Sequence, residues 1–170
     1  AERTLAAIDA RGRDGVWISV SDRLVRDAEA LDPADRDRLP LWGIPFAVKD
    51  NMDVEGWATT AACPSFAYSP QQSAPVVRDL IAAGAILVGK TNLDQFATGL
   101  NGTRSPYGTP SSAHDSSLIS GGSSSGSAVA VAAGLVAFSL ATDTAGSGRV
   151  PAALNGVVGL KPSVGLVSTR

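Results

Sequence analysis

A stretch rich in glycine and serine, residues 121–148, restricts how this chain can fold more than any other part of it. Loops of this composition let the backbone approach other groups closely, and they present hydroxyls and free amide N–H groups. One Gly/Ser loop opens the stretch and another closes it. Between them, Ser127–Ala133 predicts a short buried helix and Val136–Leu140 predicts a buried strand. This helix and strand therefore hold two hydroxyl-bearing loops together.

Composition limits the class of protein. The chain has 170 residues, 44% hydrophobic and 18% charged, which suffices for the core of one domain or part of one. A net charge of -2 disfavours a nucleic-acid-binding surface, which needs clustered Lys and Arg. One Cys and one His exclude a disulfide framework and a structural zinc site, and no metal or other cofactor is expected. Because neither a membrane span nor a signal peptide is visible, we expect a cytoplasmic location and no membrane partner.

Helix and strand patterns alternate along the rest of the chain. The predicted helices are Glu2–Ala10, Asp22–Leu31 and Ser73–Gly84, and the predicted strands are Val16–Val20, Ile44–Val48, Ala85–Val88 and Val157–Leu160. Such alternation predicts an α/β fold with a mixed, largely parallel sheet and helices on both faces.

Each of the three lysines, Lys49, Lys90 and Lys161, stands just past the end of a predicted strand. The ends of parallel strands share one edge of the sheet, where α/β proteins place their ligands. Another predicted strand brings Asp143 and Ser147 to the same edge. A single lysine at a strand end is usually a solvated charge. With three of them, we expect one to be functional.

Two familiar motifs match in their letters but not in their context. Residues 84–91 match the Walker A expression, yet the residues between its glycines are themselves the predicted strand rather than a phosphate-binding loop. Residues 122–126 match the G-x-S-x-G nucleophile elbow, but no buried strand precedes them, and the only histidine, His114, lies upstream. His114 is expected to be a polar loop residue. A P-loop module or a non-catalytic fragment remains the alternative from another class.

The remaining inventory fits serine chemistry with a lysine base. A serine hydroxyl is a poor nucleophile unless a base takes its proton, and a desolvated lysine can serve as that base. The turn around Ser147 can aim several backbone N–H groups at one point, which is how an oxyanion hole is made.

Three separated motifs resemble the amidase signature family. They are residues 121–127, residues 142–149 and residues 159–162, and the similarity begins near residue 41. The resemblance covers the N-terminal half of the family's catalytic domain and implies the fold of that half. It divides the chain into an N-terminal helical segment, residues 1–40, that packs on an amidase signature core, residues 41–170.

Carried over by position, the resemblance implies an amide hydrolase that uses a catalytic triad. Ser147 corresponds to the nucleophile, Ser123 to a bridging serine that follows a cis peptide bond at Gly122, and Lys49 to the base. A base must be neutral in its working state, so we expect Lys49 to be enclosed by uncharged groups and its pKa to be lowered. The adjacent Asp50 should point to the opposite face, because consecutive strand side chains alternate.

The turn that carries Ser147 has two further predicted roles. The family's oxyanion donors correspond to four consecutive amides, those of Thr144, Ala145, Gly146 and Ser147. Asp143 and Arg149 flank this turn and are predicted to pair across it, which would hold the amides in place.

A narrower resemblance is to the allophanate hydrolase branch of the family. It rests on residues 90–108 and on the wording of the first Gly/Ser loop, residues 121–127. It implies hydrolysis of a small acylurea to ammonia and carbon dioxide in urea catabolism, with Gly99, Leu100 and Asn101 contacting the substrate. Another small-amide amidase or the glutaminase subunit of a tRNA amidotransferase is the alternative. A homodimer of the full-length protein is left open.

Overall fold

A computed structural model describes residues 1–168 of the chain. The helices are α1 (Glu2–Arg11), α2 (Leu24–Glu29), α3 (Pro75–Ala82), α4 (Ser125–Ala132) and α5 (Arg149–Leu154). The strands are β1 (Trp17–Val20), β2 (Pro45–Lys49), β3 (Ile86–Thr91) and β4 (Phe138–Leu140). Short 3₁₀ turns at Pro33–Asp35, Pro64–Phe66 and Gln95–Ala97 lie in the connections.

The four strands described in residues 1–168 form one mixed sheet in the order β1-β3-β2-β4. Strand β2 runs parallel to both β3 and β4, whereas β1 is antiparallel to β3. The mixed, largely parallel sheet predicted from the sequence is confirmed. Because β2, β3 and β4 share one direction, they end at one edge of the sheet, at Lys49, Thr91 and Leu140.

Apolar side chains cover both faces of the sheet. In β2, Ala47 packs into one apolar cluster, while its neighbours Phe46 and Val48 pack into another, because successive strand residues point to opposite faces. The first cluster takes residues from α1, α2 and α4, among them Val129. The second takes Val77 from α3. The prediction of helices on both faces is confirmed.

The predicted strand Val157–Leu160 is wrong. These residues lie in irregular chain, and the side chains of Val158 and Leu160 are 96% and 87% exposed. A strand needs a neighbouring strand to take its backbone hydrogen bonds. Here the Val157 N–H is donated instead to the carbonyl of Ala152 in α5. The segment therefore pairs with no strand in residues 1–168, despite its apolar, β-branched pattern.

Helix α5 is not predicted by the sequence pattern, because glycine and proline near its start favour a turn. Pro151 is tolerated there because it lies in the first turn, where its missing N–H has no helical partner to lose. The boundary at residue 40 between the N-terminal segment and the core stays a prediction. Strand β1, from the first segment, pairs with β3 from the second.

Candidate active site

Lys49 is the last residue of β2, and its side chain is fully buried at the sheet edge. Its Nζ lies 2.7 Å from Ser123 Oγ, 2.8 Å from Thr142 Oγ1 and 3.4 Å from the Thr142 carbonyl oxygen. Burial lowers the pKa of Lys49 from 10.5 to about 7, although the Asp94 and Asp143 carboxylates act to raise it. The groups that hydrogen-bond to Lys49 are uncharged, as expected, and neither of these carboxylates is hydrogen-bonded to it within residues 1–168.

The other two lysines have different surroundings. Lys90 in β3 is equally buried but forms an ion pair with Asp50, with 3.0 Å between Nζ and Oδ1. Burial lowers the pKa of Lys90, and pairing with Asp50 opposes that change. The Asp50 carboxylate is thus held by Lys90 and not by the adjacent Lys49, as strand alternation predicts. Lys161 is exposed and follows no strand, which corrects the expectation that all three lysines share the sheet edge.

Ser123 is held by its backbone just before α4. The peptide bond from Gly122 to Ser123 is cis, as the resemblance implies. The Asp94 N–H donates to the Ser123 carbonyl at 3.0 Å, and the Gly122 N–H donates to the Leu100 carbonyl at 2.8 Å. Position 122 has no room for a side chain, because a Cβ there would lie 2.6 Å from the Gly102 nitrogen. The backbone therefore aims the Ser123 hydroxyl at the buried lysine.

Ser147 lies on the turn between β4 and α5, and it is 6% exposed. Its carbonyl accepts the N–H of Ser124 at 3.0 Å, which joins the turn to the loop that carries Ser123. Within residues 1–168, the two loops are linked through this backbone bond and not by a hydrogen bond between the Ser123 and Ser147 hydroxyls. The structure thus brings Lys49, Ser123 and Ser147 to one edge, with Lys49 and Ser123 in direct contact.

Asp143 organises the turn that carries Ser147. Arg149 donates to it three times, from Nε at 2.9 Å, from Nη2 at 3.0 Å and from its backbone N–H at 3.0 Å. The N–H groups of Gly146 and Gly148 donate to the same carboxylate at 2.8 Å and 3.1 Å. The hydrogen bond from the Arg149 side chain is the main reason that the pKa of Asp143 lies well below its usual range. The predicted pairing of Asp143 with Arg149 is confirmed.

The four amides predicted as oxyanion donors are not equally free. The Gly146 N–H is donated to Asp143, which removes Gly146 from the set. In the part of the chain that the structure describes, the N–H groups of Thr144, Ala145 and Ser147 have no hydrogen-bond acceptor. These three amides can still meet a developing negative charge, and their role stays a prediction.

The segment predicted to contact substrate borders this turn. The side chain of Leu100 is 42% exposed and lies 3.8 Å from where a Cβ on Gly146 would stand. Asn101 is exposed, and Gly99 packs against the Asp94 side chain. The substrate contacts of Gly99, Leu100 and Asn101 stay a prediction.

Three residues at the site received no role from sequence reasoning: Thr142, Asn51 and Asp94. The Asn51 Nδ2 donates to Thr142 Oγ1 at 3.1 Å. The Asp94 carboxylate accepts the N–H groups of Gly102 and Arg104 at 3.0 Å and 2.8 Å, which shapes the loop beside Ser123. A signal for Asn51 and Thr142 was present in the sequence, because each lies two residues beyond the end of a parallel strand.

The two motifs disfavoured by the sequence also lack their required context in the structure. Residues 86–91 form β3, so the Walker A letters contain a strand and not a phosphate-binding loop. Ser124, at the centre of the elbow motif, is 1% exposed and donates to the Thr142 carbonyl at 3.3 Å. His114 lies in an exposed loop, where its Nε2 is 2.9 Å from the Asn155 carbonyl oxygen.

Two further findings concern membranes and metals. Within residues 1–168, no helix combines the length and the apolar character that crossing a membrane requires. In the same residues, His, Cys, Asp and Glu side chains do not gather in a group of three that could hold a metal ion.

Comparison with known proteins identifies similar chains. The Amidase family model matches residues 4–170. Urea amidolyase of Saccharomyces cerevisiae is 58% identical over 160 residues, which cover 92% of this chain and 9% of that protein. A glutamyl-tRNA(Gln) amidotransferase subunit of Streptococcus pneumoniae is 51% identical over 156 residues, covering 90% of this chain and 32% of that one. The structure of Kluyveromyces lactis allophanate hydrolase matches with a TM-score of 0.81 and 52% identity, covering 88% of this chain and 25% of that one. The chain spans a third or less of the length of each of these relatives.

Proposed function

Because this chain belongs to the amidase family, we propose that it carries the catalytic triad of an amide hydrolase, with Ser147 as nucleophile, Ser123 as proton bridge and Lys49 as base. The observation that carries the proposal is the 2.7 Å contact between Ser123 Oγ and the Nζ of Lys49, a buried amine whose hydrogen-bond partners are uncharged. An amine with a pKa of about 7 is neutral in a large fraction of the molecules near neutral pH, so it can accept a proton there.

The proton path runs from Ser147 through Ser123 to Lys49. As neutral Lys49 takes the proton of Ser123, Ser123 takes that of Ser147, and the freed oxygen of Ser147 attacks the amide carbonyl carbon. The tetrahedral oxyanion accepts hydrogen bonds from the free amides of the turn. The proton then returns by the same path to the leaving nitrogen, and the C–N bond breaks. Water, deprotonated along the same path, releases the acyl group from Ser147.

Asp143 and Arg149 support this step by fixing the turn that carries Ser147. Oxyanion donors stabilise a transition state most when they are already fixed in position before the reaction. The five hydrogen bonds that Asp143 accepts hold residues 143–149 in one conformation. The free amides of Thr144, Ala145 and Ser147 are carried on this fixed turn.

We propose allophanate, a small acylurea, as the substrate. Two similar proteins, a urea amidolyase and an allophanate hydrolase, support this choice. Residues 99–101, at the rim of the turn, are the proposed contact segment. The similarity to an amidotransferase subunit keeps glutamine as the second candidate. A cytoplasmic location and a homodimer of the full-length protein stay predictions.

Labelling with a fluorophosphonate probe tests the nucleophile in the natural full-length protein. Ser147→Ala should abolish covalent labelling, because the probe reacts with an activated serine. Ser124→Ala is the matched control and should keep it, since Ser124 is a neighbouring buried serine outside the triad. We expect Ser123→Ala to reduce labelling strongly but not to abolish it, because a water can partly replace a bridging hydroxyl. Labelling that persists in Ser147→Ala and maps to Ser124 would overturn the assignment.

Ammonia release from a substrate panel tests the substrate. The panel consists of allophanate, glutamine and a simple aliphatic amide, each assayed with the natural full-length protein and with its Ser147→Ala variant. The largest kcat/KM is expected for allophanate. A larger value for glutamine would replace the acylurea proposal with the amidotransferase alternative and leave the triad unchanged.

A further inference from the structure

Thr142 presents two oxygen atoms to the Lys49 amine. Its hydroxyl Oγ1 lies 2.8 Å from Lys49 Nζ, and its carbonyl oxygen lies 3.4 Å from the same nitrogen. The third oxygen near that nitrogen is Ser123 Oγ at 2.7 Å. A second residue fixes the hydroxyl, because Asn51 Nδ2 donates to Thr142 Oγ1 at 3.1 Å. Two of the three oxygen atoms that hydrogen-bond to the Lys49 amine within residues 1–168 therefore belong to Thr142.

The hydrogen-bonding capacity of a neutral amine restricts how these groups can be arranged. A neutral lysine amine has two N–H donors and one lone pair, whereas the ammonium form has three donors and no lone pair. The base can accept a proton only if its lone pair faces Ser123 Oγ. Both N–H groups must then be donated elsewhere, and the two oxygens of Thr142 are the acceptors within reach.

We propose that Thr142 is a positioning residue that accepts both N–H groups of neutral Lys49 and so directs the lone pair at Ser123 Oγ, with Asn51 anchoring the Thr142 hydroxyl. This inference rests on the proposed function, in which Lys49 is the base. Thr142 acts through Lys49, and within residues 1–168 it makes no hydrogen bond to Ser147.

The direction of the hydrogen bond between the Thr142 hydroxyl and Lys49 can be read from the pKa of Lys49. If the Thr142 hydroxyl donated to the lone pair of Lys49, it would compete with Ser123 and stabilise the neutral amine. If it accepts an N–H, it stabilises the ammonium form more, because hydrogen bonds from a charged donor are stronger. Removing an accepting hydroxyl lowers the pKa of the base, whereas removing a donating one raises it.

The charged groups around the base do not depend on Thr142 Oγ1. They are Asp94, Asp143 with its partner Arg149, and the ion pair of Asp50 with Lys90. Within residues 1–168, neither the Asp94 carboxylate nor the Asp143 carboxylate is hydrogen-bonded to Lys49. A substitution that removes only the Thr142 hydroxyl therefore leaves the electrostatic surroundings of the amine in place.

The test compares Thr142→Val and Thr142→Ser by the pH dependence of kcat and KM in the natural full-length protein. Valine keeps the shape and the backbone carbonyl but removes the hydroxyl. We expect kcat to fall about 10- to 100-fold, because a misdirected base loses general-base catalysis. KM should stay unchanged, and the acid limb of the kcat profile should move to lower pH. Serine, which keeps the hydroxyl, should restore both kcat and the position of the limb.

Asn51→Leu tests the anchor in the same assay. Because the Thr142 hydroxyl remains present but loses its fixed partner, the fall in kcat should have the same direction and a smaller size. A variant with the kcat and pH profile of the unsubstituted protein would remove Asn51 from the inference.

Thr91→Val is the matched control for a buried threonine. Its Oγ1 is 2.7 Å from Ser127 Oγ, and it makes no hydrogen bond to Lys49. Losing this buried bond should lower the melting temperature without moving the acid limb. If Thr142→Val behaves like Thr91→Val, raises kcat, or moves the limb to higher pH, the inference is overturned.

Lys49→Met separates this inference from the proposed function. If Lys49→Met abolishes turnover while Thr142→Val leaves kcat and the profile unchanged, Lys49 is the base but Thr142 does not position it. If Lys49→Met keeps normal turnover, the proposed base itself is wrong, and the inference is overturned with it.

Discussion

Asp50 and Lys90 form an ion pair, with 3.0 Å between Oδ1 and Nζ, and neither side chain is exposed. Asp50 directly follows Lys49, which is the one buried lysine without a carboxylate partner within residues 1–168. Thr60 also donates to the Asp50 carboxylate, from its N–H at 3.0 Å and from its hydroxyl. These bonds fix the carboxylate on the side of β3. One sheet edge therefore holds a neutralised ion pair and, next to it, an amine whose hydrogen-bond partners are uncharged.

Breaking this ion pair should destabilise the protein strongly. Lys90→Met leaves Asp50 buried without its partner, and the free energy of unfolding should fall by about 3–5 kcal/mol. In the double variant Lys90→Met/Asp50→Asn, neither member of the pair is left as an unpaired charge, so the loss should be smaller than the sum of the losses in Lys90→Met and Asp50→Asn. Denaturant unfolding of the natural full-length protein measures all three. Strictly additive losses would mean that the two side chains are not coupled.

Activity should rise with pH as Lys49 loses its proton. Because burial lowers the pKa of this amine to about 7, the acid limb of the kcat/KM profile should have its midpoint near that pH. The measurement is kcat/KM between about pH 5 and pH 9. Lys161→Ala, which removes an exposed lysine, is the control and should leave the profile unchanged. Activity that keeps rising up to pH 9 without reaching a plateau would contradict the lowered pKa of Lys49, because the ordinary lysine value is about 10.4.

The same lowered pKa predicts that Lys49 destabilises the fold. Between about pH 7 and pH 10.5, the unfolded chain keeps a proton on this lysine that the folded chain has lost. The free energy of unfolding therefore rises with pH in that range, by at most ~1.4 kcal/mol per pH unit from this group. Below pH 7 both states are protonated and the cost is constant.

Lys49→Met should therefore raise the melting temperature most below about pH 7, and the gain should shrink as the pH approaches 10. Lys161→Met serves as the control, because its side chain is exposed. A stability difference between Lys49→Met and the unsubstituted protein that does not change with pH would contradict the lowered pKa.

Arg149→Ala should reduce turnover through the turn that carries Ser147. Without the guanidinium, Asp143 keeps only its backbone N–H bonds, and the free amides of the turn are held less firmly. We expect kcat to fall about 10- to 100-fold, as for partial loss of an oxyanion donor. Arg38→Ala, which breaks the exposed pair with Asp35 at 2.6 Å, should change neither turnover nor melting temperature. Unchanged turnover and melting temperature in Arg149→Ala would remove its supporting role.

Helices and strands with a clear local signal could be predicted from the amino-acid sequence alone. Helix α3 shows this: Pro75 suits a first turn, the apolar stripe has helical spacing, and Gly84 follows the last turn with a φ of 92°. The Gly/Ser motifs likewise pointed to the family and to the two serines proposed for the triad, Ser123 and Ser147. Such features can be predicted from the sequence because they depend on residues that are close together in the chain.

The resemblance alone named Lys49 as the base, but the physical reason why Lys49 and not Lys90 can be neutral is visible only in the folded structure. Lys49 and Lys90 lie at or near the ends of adjacent parallel strands, and both are fully buried. Strand position and burial therefore do not distinguish the two lysines. They differ in their distant partners. The hydroxyls of Ser123 and Thr142, 74 and 93 residues away, surround Lys49, whereas a carboxylate neutralises Lys90. Which partner fills a place at a sheet edge depends on long-range packing, and a local pattern of residues carries no record of it.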